Sequence, residues 1–414
     1  MICPVSKTTR NRLLALACLL AFLALGALFY VNWVVQRPFA VILFLADNLT
    51  VSSLTPARHY AGGADHRLEI EKFPHLAVLS GHANDFAVAD SASAAVPFAR
   101  GSKANNGSLA PARPGAPWLL ELARKSGRAT GLVSNASITD AAAAAFYADT
   151  PDPLDYPLIA RQLLESFRAD VFLGGGAADF LPVASGGRRT DERDLLSEAV
   201  KSGVDVVRSE PELEALPSWR APKTVGLFSM GNLHFADELI GGAGQPDLAS
   251  LVRQAIRLLQ YNPRGYLLVV DAGLAGKSAA QNEGERTLRE ILALDQAVAE
   301  ALRYAGKDAL VVVAGKRSVG GLRLNGFPFR NDKGAAILGI NPQGVPSITW
   351  STGPESGTHT GTQGPVSNEP AASRRAAGIE TAEDLLAVGQ GPGTEQLSGF
   401  RDNTLVFEIL REAL

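Results

Sequence analysis

Residues 39–46 read FAVILFLA, eight positions without a polar side chain. A strand with one face in water alternates apolar and polar residues, whereas an unbroken apolar strand is covered on both faces. Runs of the same kind recur at 129–133, 170–173, 224–229, 266–271 and 309–314. Between them lie amphipathic helix patterns at 116–126, 156–167, 191–201, 248–260 and 283–305. Strand and helix in alternation predict an α/β sandwich, a mostly parallel sheet between helices. The final 402–414 pattern predicts a helix that closes the domain, and no internal repeat interrupts the order. Two stretches read as loops. One is the Gly/Arg segment 186–189, and the other is 352–375, rich in Gly, Ser, Thr, Pro and Asn.

A different kind of apolar run opens the chain. Residues 13–36 carry no charge and are mostly Leu, Ala, Phe and Val. About 20 such residues span a bilayer as a helix. Lys7, Arg10 and Arg12 precede the run, so the positive-inside rule places 1–12 in the cytoplasm and 38–414 on the far side, the periplasm in a Gram-negative cell. Tyr30 and Trp33 stand where an interfacial aromatic belt would form. A cleaved signal peptide is the alternative, with Ala24-Leu25-Gly26 as its cleavage site. The run continues well past that point, which favours an uncleaved anchor. The expected organisation is therefore a short cytoplasmic segment, one transmembrane helix and one large domain.

Composition removes some functions. The 414 residues carry a formal net charge of -3 and no basic tract, so nucleic-acid binding has no electrostatic footprint. The two cysteines, Cys3 and Cys18, lie at or inside the apolar run. The large domain thus has neither disulfides nor thiolate metal ligands.

In open α/β sheets, ligands gather at the carboxyl ends of the strands. The first strand ends in Asp47, which is either a metal ligand or a cap for the next helix. Residues 89–95, ADSASAA, put Ser91 at the start of an Ala-rich helix. Free N–H groups and the helix dipole favour negative charge there, as on an attacking or phosphorylated serine. The plainer alternative is that Ser91 or Asp90 is an N-cap.

These segments resemble the alkaline phosphatase family. VILFLADNLTVSSLTPARHY is similar to its opening strand and first metal carboxylate, and ADSASAAVPFARGSKANNG to its nucleophile helix. ATGLVSNASITDAAAAAFYAD, DVFLGGG, NPRGYLLVVDAG, the HTG at 359–361 and GPGTEQLSGFRDNTLVFEILREAL resemble later blocks in the same order. The resemblance runs from about residue 40 to the end. It implies two zinc ions and one magnesium, a serine that accepts the phosphoryl group, and an arginine that grips the phosphate. Members are often homodimers. Carried over position by position, Ser91 is the nucleophile, Asp47 the acid shared between a zinc and the magnesium, and His359 a zinc histidine. Asp140 lies near the magnesium, and Asp271 replaces the magnesium Glu.

Other positions depart from the pattern. A zinc Asp and His become Gly276 and Ala280, and the other zinc's Asp-His pair becomes Gly315-Lys316. The magnesium Thr becomes Ala142, and the phosphate arginine falls near Asp152 or Pro153. None of the six His is paired at a spacing of three or four, and zinc needs several ligands per ion. Asp47, Asp140 and Asp271 would serve one hard cation such as Mg²⁺ if they converge; otherwise they are solvated or helix-capping acids. Lys316 and Lys277 would supply positive charge to a phosphate or other anion without metal; otherwise they are surface lysines in Gly-rich turns. The expectation is a membrane-anchored pseudophosphatase with impaired phosphomonoester hydrolysis. The alternatives are an active metal-dependent phosphatase using Ser91 and a structural envelope protein.

Overall fold

The computed structural model describes residues 7–29, 39–239, 244–306, 308–325, 346–354 and 369–414. It contains two compact units, Met1–Pro38 and Phe39–Leu414. The first holds one helix, Lys7–Phe29. Its Lys7–Gly26 stretch is long and apolar enough to cross a membrane. The helix starts before the uncharged run and takes in Lys7, Arg10 and Arg12, because Lys and Arg are good helix formers. Tyr30 and Trp33 lie outside the described residues.

The second unit is built on strands β1 (Ala40–Asp47), β2 (His75–Ser80), β3 (Ala129–Ser137), β4 (Val171–Gly175), β5 (Asp205–Val207), β6 (Thr224–Leu227), β7 (Tyr266–Ala272) and β8 (Leu310–Val319). Then come β9 (Leu322–Leu324), β10 (Ile348–Gly353), β11 (Ala371–Arg374), β12 (Glu380–Thr381), β13 (Leu385–Gln390) and β14 (Ser398–Asp402). Among the described residues the main sheet runs β14-β2-β13-β8-β1-β7-β3-β4-β6-β5, with β12 also paired to β8. From β8 to β5 every neighbour is parallel. β13 runs against its two neighbours, β8 and β2, and the short β12 runs against β8.

The unbroken apolar strands are explained by two cores, one on each face. On β1, Val41, Leu43 and Leu45 join one core with the helices Ser91–Arg100, Leu119–Lys125 and Thr404–Ala413. Ala40, Ile42 and Phe44 join the other with Val51–Gly62, Leu248–Leu259 and Gly284–Ala305. Each large aliphatic side chain so buried contributes about 1.5–3 kcal/mol.

Element ends depart from expectation where side chains redirect the backbone. The helix expected at 191–201 starts at Leu195, because Asp194 caps it by accepting from the Ser197 N–H. Asp170 lies just before β4 and accepts from both the N–H and the hydroxyl of Thr130. The stretch expected as a loop at 352–375 carries the end of β10 and all of β11. With β9 these form a separate three-stranded sheet. Residues 355–368 lie outside the described residues.

Candidate functional site

Four adjacent strands, β8, β1, β7 and β3, bring Lys316, Asp47, Asp271 and Ser134 to the carboxyl edge of the sheet. Parallel pairing sets the register: Leu45 lies opposite Asp271, and Ser134 opposite Asp271 on the other side. Between β1 and β8 the register breaks. Ala46 pairs with Gly315, but Asp47 pairs with Arg317, which leaves Lys316 as an extra residue. A bulge of this kind re-aims a side chain. Here it lets both Lys316 and Arg317 turn toward Asp47.

The Lys316 ammonium lies 2.7 Å from Asp271 Oδ1 and 3.1 Å from Asp47 Oδ1. Arg317 donates to Asp47 through Nε and Nη2, both at 3.0 Å, and reaches Glu380 at 2.6 Å. The Ser134 hydroxyl donates to Asp271 Oδ2 at 2.8 Å. Asp47, Asp271 and Lys316 are each 1% exposed. Two buried acids are thus balanced by two cations, which a low-dielectric interior requires. Burial works against the Asp47 carboxylate, but Arg317 and Lys316 outweigh it and hold its pKa below the ordinary value. Burial also pulls the Lys316 ammonium down, and Asp271 and Asp47 more than offset this, raising it above the ordinary value.

The backbone is fitted tightly around this centre. A Cβ on Gly276 would come 2.3 Å from Asp47 Oδ2, and one on Gly315 would come 2.6 Å from the Leu49 carbonyl. Neither position has room for a side chain as the chain stands. Asn135 fixes the turn after Asp271, accepting from the N–H groups of Gly273 and Leu274 at 2.9 and 3.3 Å.

Several alternatives for these residues are now decided. Asp47 does not cap the next helix: Thr50 does, in a capping box with Ser53. Lys316 is no surface lysine in a turn, but a fully buried strand residue. The three carboxylates do not converge. Asp47 and Asp271 meet at Lys316, while Asp140 pairs with Lys277 at 2.6 Å, both partly exposed. Asp140 occupies the N-cap position of a short helix, but its side chain makes no cap hydrogen bond. Among the described residues no three His, Cys, Asp or Glu gather as a metal cluster. His359 lies outside the described residues. Asp152 sits in an exposed turn and accepts from the Leu154 N–H.

Ser91 occupies the first turn of the helix Ser91–Arg100. The cap is Asp90, whose side chain accepts from the N–H groups of Ala92 and Ser93 at 3.0 and 2.8 Å. Asn106 braces this end by accepting from the Asp90 N–H and the Ser93 hydroxyl. Ser91 is partly exposed. Ala89 and Arg317 line a common cleft of about 190 Å³, which places the segment entering the helix Ser91–Arg100 beside the ion-pair centre.

Arg317 and Ser134 are the participants that the sequence reading missed. The signal for Arg317 was two consecutive cations ending an apolar strand, which need counter-ions if buried. Ser134 gave no signal of its own.

The alkaline phosphatase family model matches residues 40–414. The chain is 29% identical to alkaline phosphatase H of Pseudomonas aeruginosa, over 90% of this chain and 84% of that protein. It is also 29% identical to streptomycin-6-phosphate phosphatase of Streptomyces griseus, over 91% and 90%. The chicken tissue-nonspecific alkaline phosphatase is again 29% identical, over 73% and 67%. In fold it resembles the alkaline phosphatase of the Antarctic bacterium TAB5, with a TM-score of 0.72, 22% identity and coverage of 91% and 98%. The Thermus thermophilus alkaline phosphatase gives the same TM-score at 24% identity, covering 92% of each chain. With a family model spanning nearly the whole large domain and relatives matched along most of their length, the chain belongs to the alkaline phosphatase family.

Proposed function

We propose that this chain is a membrane-tethered member of the family in which phosphomonoester hydrolysis is impaired. One observation carries the reading: the Lys316 ammonium lies between the two buried carboxylates that the resemblance assigns to the metals. The donor set does not fit the family's zinc and magnesium. Gly276, Ala280 and Gly315 offer no side-chain ligand atoms. Asp47 and Asp271 already hold cations of the chain itself. Without metal, a serine hydroxyl is a weak nucleophile. Lys316 has little support as an anion binder, since its charge faces two acids. Lys277, partly exposed on Asp140, is the cation that a phosphate would reach.

A second reading is favoured by the comparisons. The relatives named above are phosphatases, and on similarity alone this chain would hydrolyse phosphate esters through Ser91. That reading needs ligands beyond those described, with His359 among them.

The test uses the full chain in detergent with Zn²⁺ and Mg²⁺ supplied, and measures bound metal and p-nitrophenyl phosphate turnover. No difference in turnover between wild type and Ser91→Ala is the expected result. Bound zinc together with turnover abolished in Ser91→Ala would establish the second reading. The helix Lys7–Phe29 is read as an uncleaved anchor that keeps the domain outside the cytoplasm. Alkaline carbonate extraction checks this, and release of a shortened chain would indicate a cleaved signal sequence instead.

A further inference from the structure

Two carboxylates on neighbouring strands, both buried, would repel one another unless a cation stood between them. Metal ions fill that role in many proteins. Here the ammonium of Lys316 contacts Oδ1 of both acids. The remaining acceptor positions are also taken. Asp47 receives Arg317 on both oxygens, and Asp271 Oδ2 receives the Ser134 hydroxyl. The bulge at Lys316 aims this side chain inward, and the missing Cβ atoms at Gly276 and Gly315 let the surrounding backbone close on the centre.

We infer that Lys316 is a built-in replacement for a divalent cation: it makes the large domain's stability independent of metal and masks a latent site for one hard cation. The inference rests on the reading of the centre given above, and extends it from lost chemistry to how the fold is held together. Truncating Lys316 leaves Asp47 Oδ1 and Asp271 Oδ1 both facing the space that the ammonium fills. A cation such as Mn²⁺ takes carboxylate and water oxygens in such a space. Arg317 stays on Asp47, so binding there would be weak.

The experiment measures thermal midpoint and Mn²⁺ binding, by electron paramagnetic resonance, on the full chain in detergent. Wild type is expected to melt at the same temperature in EDTA and in millimolar Mn²⁺, and to bind no stoichiometric ion. Lys316→Ala is expected to melt on the order of 5–10 °C lower in EDTA. It should bind about one Mn²⁺ per chain and recover part of the loss when the ion is added. Lys316→Met, which fills the space without a charge, should show the loss and no recovery. A wild-type midpoint that falls in EDTA, or a stoichiometric ion in wild type, would overturn the inference without any variant. A folded Lys316→Ala indifferent to Mn²⁺ would overturn it as well. The two readings fail separately. Metal bound without Ser91-dependent turnover sinks this inference and leaves impaired hydrolysis standing; Ser91-dependent turnover without metal does the reverse.

Discussion

Lys316 and Lys277 form the same kind of ion pair in two different media. At the strand ends, Lys316, Asp47 and Asp271 are sealed from water. At the rim, Lys277 and Asp140 pair at 2.6 Å with side chains 35% and 24% exposed. Coulomb attraction is strong in the interior and weak beside solvent, but so is the cost of stranding a partner. Contact distance therefore says little about importance; burial of the unpaired remainder decides it. A third site sharpens the contrast. Glu290 is buried behind the centre and accepts from the Asn135 side-chain amide at 3.4 Å. It accepts from the Ala236 N–H at 2.6 Å but has no salt-bridge partner among the described residues. Burial pushes its carboxyl up to about 7, whereas the equally buried Asp47, with two cations, is held below its ordinary value.

The strongest way to break this comparison is Asp47→Asn. It strands Lys316 and Arg317 beside one fewer anion and should cost about 3–5 kcal/mol in denaturant unfolding. The acid sensitivity of the centre has a definite sign. A depressed Asp47 contributes stability above its ordinary range, and that stability is lost as pH falls through its folded-state value. Asp47→Asn should flatten this acid limb, and an unchanged limb would mean that Asp47 is not its source.

Glu290→Gln tests the opposite sign. From the ordinary value of 4.5 up to about 7, the unfolded chain has lost this proton while the folded one keeps it. Wild-type stability should therefore fall across that window, by on the order of 3 kcal/mol from this group. The Gln variant should lack that fall and be the more stable protein at pH 8. Equal slopes for the two proteins would remove Glu290 from the account.

Gly276→Ala pushes a methyl against Asp47 Oδ2. Overpacking of this kind costs about 1–3 kcal/mol, more than the helix-forming preference of Ala returns. A neutral or stabilising result would mean that the centre is looser than its distances imply. The smallest effect belongs to the rim: Lys277→Ala should cost less than about 1 kcal/mol and lose even that at high salt. A loss comparable to that of Asp47→Asn would erase the distinction between rim and centre.

Much of the fold was legible because unbroken apolar strands can only lie between two covered faces. β1, β7 and β8 start within a residue of where their runs begin, and the helix Leu248–Leu259 ends one residue short of its pattern. The antiparallel β13 and the edge strand β14 were not legible. Their residues are short, mixed runs whose pairing depends on strands distant in sequence. At the candidate site, Asp47, Asp271 and Lys316 could be picked out as charges ending apolar runs, but their relation could not. Arg317 was hidden for the same reason: a one-residue bulge against β1 decides which of two adjacent cations turns inward, and here both do.

The sequence by itself determined a covered parallel sheet, an apolar N-terminal helix and a serine at a helix start, since each follows from local residue type and spacing. Only the tertiary structure decided that Asp47 and Asp271 are bound to the chain's own lysine and arginine, and that glycine backbone closes around them. Charges distant in the chain acquire their meaning from the partner beside them and from the water excluded around both, and neither is set by local sequence.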